Sequence, residues 1–123
     1  MTSYKIAWHE IFKYQYKHMQ ENSFLKRQVD TQLQVIASDP PNAGTPRKFL
    51  PPDLAGKVKK LWVGGRTGHR IFIKTDHDKR VVTVLFITPV KRGHKDHKKL
   101  TRDLIKLIDT QVDEKRLKKF IIK

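Results

Sequence analysis

Cysteine is absent from the 123-residue chain, and acidic side chains are scarce. Without cysteine the protein has no disulfide framework, no thiolate zinc site and no thiol nucleophile, and the cytoplasm is the expected compartment. Only 12 Asp and Glu residues stand against 27 Lys and Arg residues, which leaves a formal net charge of +15. A folded surface with this charge repels itself, so we expect an anionic partner.

Long hydrophobic runs are also missing. The longest apolar stretch, from Val81 to Val90, is interrupted by Thr83, Thr88 and Pro89, and it has about half the length that a membrane-spanning helix needs. Charged side chains are spread through residues 1–16, which argues against a secretory signal. Nucleic acid is the leading partner, because each phosphate neutralised by Lys or Arg releases a condensed counterion. An acidic protein partner is also compatible.

We expect one domain over residues 1–123, because 37% hydrophobic residues supply a useful core in a chain too short for two typical domains. Residues 38–53 hold five of the six prolines and predict a surface crossover that Phe49 and Leu50 pin to the core. Trp8 and Trp62 are expected in the core as well.

The hydrophobic pattern predicts a strand and two helices before this crossover. Ile6 and Trp8 alternate with polar residues, as in a strand, and apolar residues recur at helical spacing over residues 11–20. A second helix is predicted from residue 24 to the sequence SDPP, with Asn22 or Ser23 accepting a hydrogen bond from an orphan amide at its start.

Three strands and a third helix are predicted after the crossover. The strands cover residues 57–63, 69–75 and 80–88, and the turn-like sequences GGRTG and DHDK join them into an antiparallel meander. The third helix runs from Lys98 to Val112, and the C-terminal tail extends it or forms a short edge strand. The predicted class is α+β, a small, largely antiparallel sheet in the order β-α-α-β-β-β-α, with the helices packed on one face.

Basic residues from separate strands come together in this prediction. Side chains alternate along a strand, so Lys59 and Lys60 point to opposite faces, while Arg70 shares a face with Phe72. If the meander pairs in this way, Lys59 or Lys60, Arg70 and Arg92 converge on one concave surface of the sheet.

The last strand runs directly into a basic segment with two histidines three residues apart. The segment contains Lys91, Arg92, His94, Lys95, His97 and Lys98. Such a set supports metal-independent RNA cleavage, in which arginines stabilise the charge added to phosphorus and a histidine, with an ordinary pKa of about 6.5, transfers protons. His94 or His97 is the candidate acid.

Two other interpretations of this segment remain open. Charge runs of this kind are commonly solvated loops. His94 and His97 could also hold a metal, but a histidine pair usually needs a third ligand, and the neighbouring Lys and Arg residues repel a divalent cation. We therefore predict no metal.

The order of elements, together with six short motifs, resembles the RelE/ParE toxin superfamily. The matching positions are Asp53-Leu54, Lys59-Lys60-Leu61-Trp62, Gly64-Gly65, Arg70-Ile71-Phe72-Ile73, Val81 to Ile87, and Lys91-Arg92. The resemblance extends over nearly the whole chain but involves few invariant letters.

The resemblance implies a RelE-like fold and ribosome-dependent mRNA cleavage without a cofactor. It implies lysine and arginine roles around the scissile phosphate for Lys59 or Lys60, Arg70 and Arg92, and spacing after Arg92 favours His97 over His94 as the acid. The general base stays open between a lysine, a histidine and Asp53. Further RNA-binding side chains are expected at Lys57, Arg66, Lys91, Lys95 and Lys98.

The family also implies a set of partners: mRNA, the ribosome and an acidic antitoxin protein. Two alternatives to the nuclease remain. ParE-like members share the fold, lack the catalytic set and inhibit DNA gyrase by binding, and a basic RNA-binding protein without toxicity would have the same composition.

Overall fold

The computed structural model describes residues 3–46, 58–63, 69–88, 102–108, 110 and 113–122. These residues form one five-stranded sheet in the order β1-β5-β4-β3-β2. The strands are β1 (Lys5–Trp8), β2 (Thr45–Pro46), β3 (Val58–Val63), β4 (His69–Asp76) and β5 (Val81–Ile87). The helices are α1 (Glu10–Lys17), α2 (Phe24–Ser38), α3 (helical residues 102–107) and α4 (Glu114–Leu117), with 3-10 turns at Pro40–Asn42 and Lys118–Phe120.

The predicted α+β class and the antiparallel meander are confirmed, since β3 pairs with β4 and β4 with β5 in antiparallel register. Two pairings go beyond the prediction. β1 lies parallel to β5, with Lys5 opposite Val81. The two-residue strand β2, inside the segment expected to be a plain crossover, pairs antiparallel with β3.

The predicted turn between β4 and β5 is built by an aspartate. An Asp76 carboxylate oxygen accepts a hydrogen bond from the Lys79 backbone N–H at 3.0 Å, and this bond is the main cause that lowers the pKa of Asp76. Arg80 closes the turn with a φ of 55°, the left-handed conformation that reverses the chain into β5.

The cap and the apolar face predicted for α2 are confirmed. The Ser23 hydroxyl accepts a hydrogen bond from the Lys26 backbone N–H at 3.1 Å, which satisfies one orphan amide of the first turn. Val29 and Ile36 are fully buried. The helix ends at Ser38, just before Pro40, because proline cannot donate to the helical hydrogen-bond ladder.

The third helix ends earlier than predicted. It has ended by Ile108, whose carbonyl accepts a hydrogen bond from His9 Nε2 at 2.7 Å, and the Thr110 N–H bonds back to the carbonyl of Leu107 at 3.2 Å in a tight final turn. The tail forms neither predicted structure. It is the separate short helix α4, capped by Asp113, followed by a 3-10 turn.

Apolar side chains cover both faces of the sheet. One cluster joins the alternate positions Leu61, Val63, Ile71 and Ile73 to Val29 and Ile36 of α2. The other cluster joins Val58, Phe72 and Phe86 to Leu104 of α3 and Leu117 of α4. The helices, expected on one face, therefore contribute to two layers, and α1 contributes to both, with Phe12 in the first cluster and Ile11 in the second.

Candidate nucleic-acid interface

The pairing of β3 with β4 brings two predicted cationic residues onto one face of the sheet. Trp62 is directly opposite Arg70, and Lys60 is directly opposite Phe72. Because side chains alternate along each strand, Lys60, Trp62, Arg70 and Phe72 all project from the face that carries α3 and α4. This face is the candidate interface.

Two cations lie against the same indole ring. The Arg70 guanidinium carbon is 4.3 Å from the centroid of the Trp62 ring, and Lys60 Nζ is 5.0 Å from it. Both distances lie within the range of cation–π attraction. Both positive charges therefore lie within 5.0 Å of one ring centroid, and a bound anion would offset their repulsion.

The prediction that Trp62 lies in the core is wrong. Its side chain is 45% exposed, whereas Trp8 packs edge-on against Phe12 and Tyr16 with ring centroids 4.9 and 5.1 Å apart. Trp62 projects from the end of β3 among cations, beyond Phe72 and Phe86, which fill the apolar part of this face. The sequence pattern gave neither the register that puts Trp62 opposite Arg70 nor the exposure of that position.

Lys59 is excluded from this site by its position on the opposite face. Its Nζ donates a hydrogen bond to the carbonyl oxygen of Pro41 at 3.4 Å, and its Cβ lies close to Gly44. A Cβ placed on Gly44 would be 2.9 Å from the Cβ of Lys59, so this contact requires glycine. Of the two lysines that the sequence left open, Lys60 shares the face of Arg70.

Thr88 fixes the backbone of Arg70 at the end of β5. The Arg70 N–H donates to the Thr88 hydroxyl at 3.0 Å, and the Thr88 N–H donates to the Arg70 carbonyl at 2.9 Å. Thr88 is fully buried. Thr88 therefore holds both the N–H and the carbonyl of Arg70, the position from which the Arg70 side chain projects.

The helical layer over the same sheet face is basic at its surface. A cavity of about 330 Å³ lies between α3 and the C-terminal segment and is lined by Asp103, Lys106, Leu107, Arg116, Lys119 and Phe120. Its three cations outnumber its one carboxylate. The positive charge near Lys60 and Arg70 thus extends over neighbouring elements.

Several predicted site residues lie outside the described residues: Lys57, Arg66, Lys91, Arg92, His94, Lys95, His97 and Lys98. The described histidines include His9 and His18, which cap the two ends of α1, and His77, which is exposed in its turn beside Tyr4. Within the described ranges, no group of three or more potential metal ligands comes together.

Solved structures with this fold are RelE toxins. The isolated E. coli RelE toxin is similar with a TM-score of 0.57 and 15% identity, over 82% of this chain and 99% of that one. The toxin chain of the intact E. coli RelBE toxin–antitoxin complex is similar with a TM-score of 0.55 and 15% identity, over 75% of this chain and 100% of that one. A chain of the archaeal RelE–RelB complex from Pyrococcus horikoshii OT3 is similar with a TM-score of 0.52 and 11% identity, over 75% of this chain and 100% of that one.

No protein-family model and no curated protein matches the chain. The structural likeness shows that the chain has the RelE fold, as the resemblance in its sequence predicted. Among the described residues, no helix is long and apolar enough to cross a membrane.

Proposed function

We propose that the protein is the toxin of a type II toxin–antitoxin pair and a metal-independent endoribonuclease that cuts mRNA on the ribosome. The observation that carries this proposal is the convergence of Lys60 and Arg70, from neighbouring strands, on one face of a RelE fold. The net charge of +15 supports a nucleic-acid substrate.

The reaction needs charge stabilisation and two proton transfers. A base removes the proton of a ribose 2′-hydroxyl, and the oxygen attacks the adjacent phosphorus. The bond to the 5′-oxygen breaks, that oxygen takes a proton from an acid, and a 2′,3′-cyclic phosphate remains. Arg70 would hold two phosphate oxygens with its planar fork, and Lys60 would add a movable point charge as negative charge develops.

Chain connectivity supports a role for the basic segment in the same reaction. Thr88 bonds to the backbone of Arg70, and Arg92 follows four residues later. A fully extended chain advances at most about 3.6 Å per residue, so the Cα of Arg92 is no more than about 14 Å from that of Thr88. We therefore assign Arg92 to the phosphate as well, with His97 or His94 as the acid.

The likeness to toxin–antitoxin complexes supports a protein partner. The RelBE and RelE–RelB structures pair a toxin of this fold with an antitoxin. For this chain we propose an acidic antitoxin that covers the basic face around Lys60 and Arg70, because opposite charges steer association and suppress wrong partners.

Primer extension on a defined mRNA bound to purified ribosomes tests the nuclease. We expect discrete cuts, products that end in a 2′,3′-cyclic phosphate and a 5′-hydroxyl, and no cut where the attacking 2′-hydroxyl is replaced by hydrogen. Intact message would contradict the proposal. Intact message together with gyrase inhibition would favour the ParE-like binder instead, and normal growth on expression alone would favour a harmless RNA-binding protein.

A further inference from the structure

Trp62 is an exposed aromatic ring in a position where burial would be expected. It lies near the end of β3, opposite Arg70 of β4, and its side chain is 45% exposed. A single exposed aromatic ring is ordinary on a protein surface, so Trp62 is distinguished by the two cations that lie against its ring. The cations at 4.3 and 5.0 Å from the ring indicate the charge of the partner.

We propose that the Trp62 indole is a stacking platform for an unpaired base of RNA, next to the phosphate-binding Arg70. The proposal rests on the RNA binding of the proposed function and adds the recognition of a base to it. A nucleotide carries a flat apolar base and an anionic phosphate side by side, and this face offers an indole and two cations side by side.

Base stacking is able to displace the weaker of the existing contacts. Lys60 reaches the ring through a flexible side chain, and a lysine near an aromatic ring in water contributes less than a stacked base does. Arg70 remains against the indole, since a guanidinium lies flat on an aromatic ring while its N–H groups point outward.

Stacking also defines the class of RNA. A base inside a duplex has both faces covered by its neighbours, so the platform selects single-stranded RNA. Every base has a π face, so the contact tolerates all sequences.

Fluorescence titration separates the base contact from the phosphate contact. The chain has two tryptophans, and Trp8→Phe leaves Trp62 as the sole reporter. Two fluorescein-labelled probes of equal length and charge are compared: an oligoribonucleotide and the same chain without its bases. Fluorescence anisotropy of the label measures binding, and tryptophan emission measures stacking. We expect both probes to bind. Energy transfer to the fluorescein label lowers the Trp62 emission with either probe, and only the base-containing probe should lower it further.

Substitution of Trp62 gives the decisive comparison. Trp62→Leu in the otherwise unchanged chain should weaken binding of the base-containing probe by about five-fold to a hundred-fold, down to the affinity of the abasic probe, while Trp62→Phe keeps part of the difference. The salt dependence should not change. Phe24→Leu is the matched control, because Phe24 is 55% exposed on α2, over the opposite sheet face, and it should bind as the wild type does.

The outcomes distinguish this inference from the proposed function. If both probes bind the wild type equally, or if Trp62→Leu preserves their difference, the stacking platform is refuted while RNA binding stands. If neither probe binds, RNA binding and the platform fail together. Arg70→Ala should weaken both probes alike and lower the salt slope by about one, as expected for a phosphate contact.

Discussion

Replacing Gln15 by methionine should remove the bonds that join three parts of the fold. Gln15 is buried, and its Nε2 donates to the carbonyls of Ile87 and Phe120 while its Oε1 accepts from the Ile87 N–H, each at 2.7 Å. β1 pairs with β5 only as far as Trp8 and Val84. Beyond that point the side-chain amide of Gln15 takes the place of a strand partner for Ile87.

The expected loss of stability follows from the three groups left without Gln15. Methionine has nearly the same shape and helix propensity, but it leaves one buried N–H and two buried carbonyls without this partner. At about 1 kcal/mol or more for each unsatisfied group, the free energy of unfolding should fall by about 3 kcal/mol. For a chain of this length that corresponds to a decrease in Tm of about 10 to 15 °C.

Urea denaturation and calorimetry measure the effect, with Gln34→Met on the exposed side of α2 as the control. The control should change the free energy of unfolding by less than about 0.5 kcal/mol. Amide exchange at Ile87 should also accelerate selectively in the Gln15 variant. Equal unfolding midpoints for the two variants would refute the role assigned to Gln15.

Three further predictions concern stability. The pKa of Tyr16 is raised to about 12, chiefly by its hydrogen bond to Asp30, so the folded protein holds the phenol proton more tightly than the unfolded chain does. The free energy of unfolding should therefore fall as the pH rises from 10 to 12. Tyr16→Phe should make that fall less steep. Gly44→Ala should cost at least about 1 kcal/mol in urea denaturation, because φ is +83° and a Cβ would be 2.9 Å from the Cβ of Lys59. Ser23→Ala should cost about 1 kcal/mol by the same assay, and Ser23→Asn should restore most of it. A wild-type free energy of unfolding that does not change between pH 10 and pH 12 would contradict the contact assigned to Tyr16. An unchanged free energy of unfolding in Gly44→Ala or Ser23→Ala would contradict the contact assigned to that residue.

Local patterns predicted the elements near the candidate interface well. Period-two alternation placed Lys59 and Lys60 on opposite faces of β3 and Arg70 with Phe72 on one face of β4, and turn chemistry joined the strands in the right order. The choice between Lys59 and Lys60 was not available from the pattern, because it depends on which sheet face carries the basic site. Lys59 projects from the other face, where it lies against Pro41 and Gly44 of the preceding crossover.

Non-local contacts explain the remaining differences from the sequence prediction. The parallel pairing of β1 with β5 joins residues far apart in the chain, and neither strand encodes its partner. α3 ends early where His9, 99 residues away, bonds to the carbonyl of Ile108. The exposure of Trp62 likewise follows from the layer that packs on its face, which hydrophobicity alone does not report.

The single-turnover rate of mRNA cleavage on the ribosome tests the central claim most directly. The claim is that Arg70 and Lys60 act together on one phosphate while Lys59, on the opposite face, does not. Arg70→Ala should slow cleavage about 100-fold to 1,000-fold, as removal of one charge-stabilising donor does. Lys60→Ala should also slow it, and Lys59→Ala, equally folded by circular dichroism, should cleave at the wild-type rate. Undiminished cleavage by a folded Arg70→Ala variant, or an equal loss in Lys59→Ala, would contradict the account.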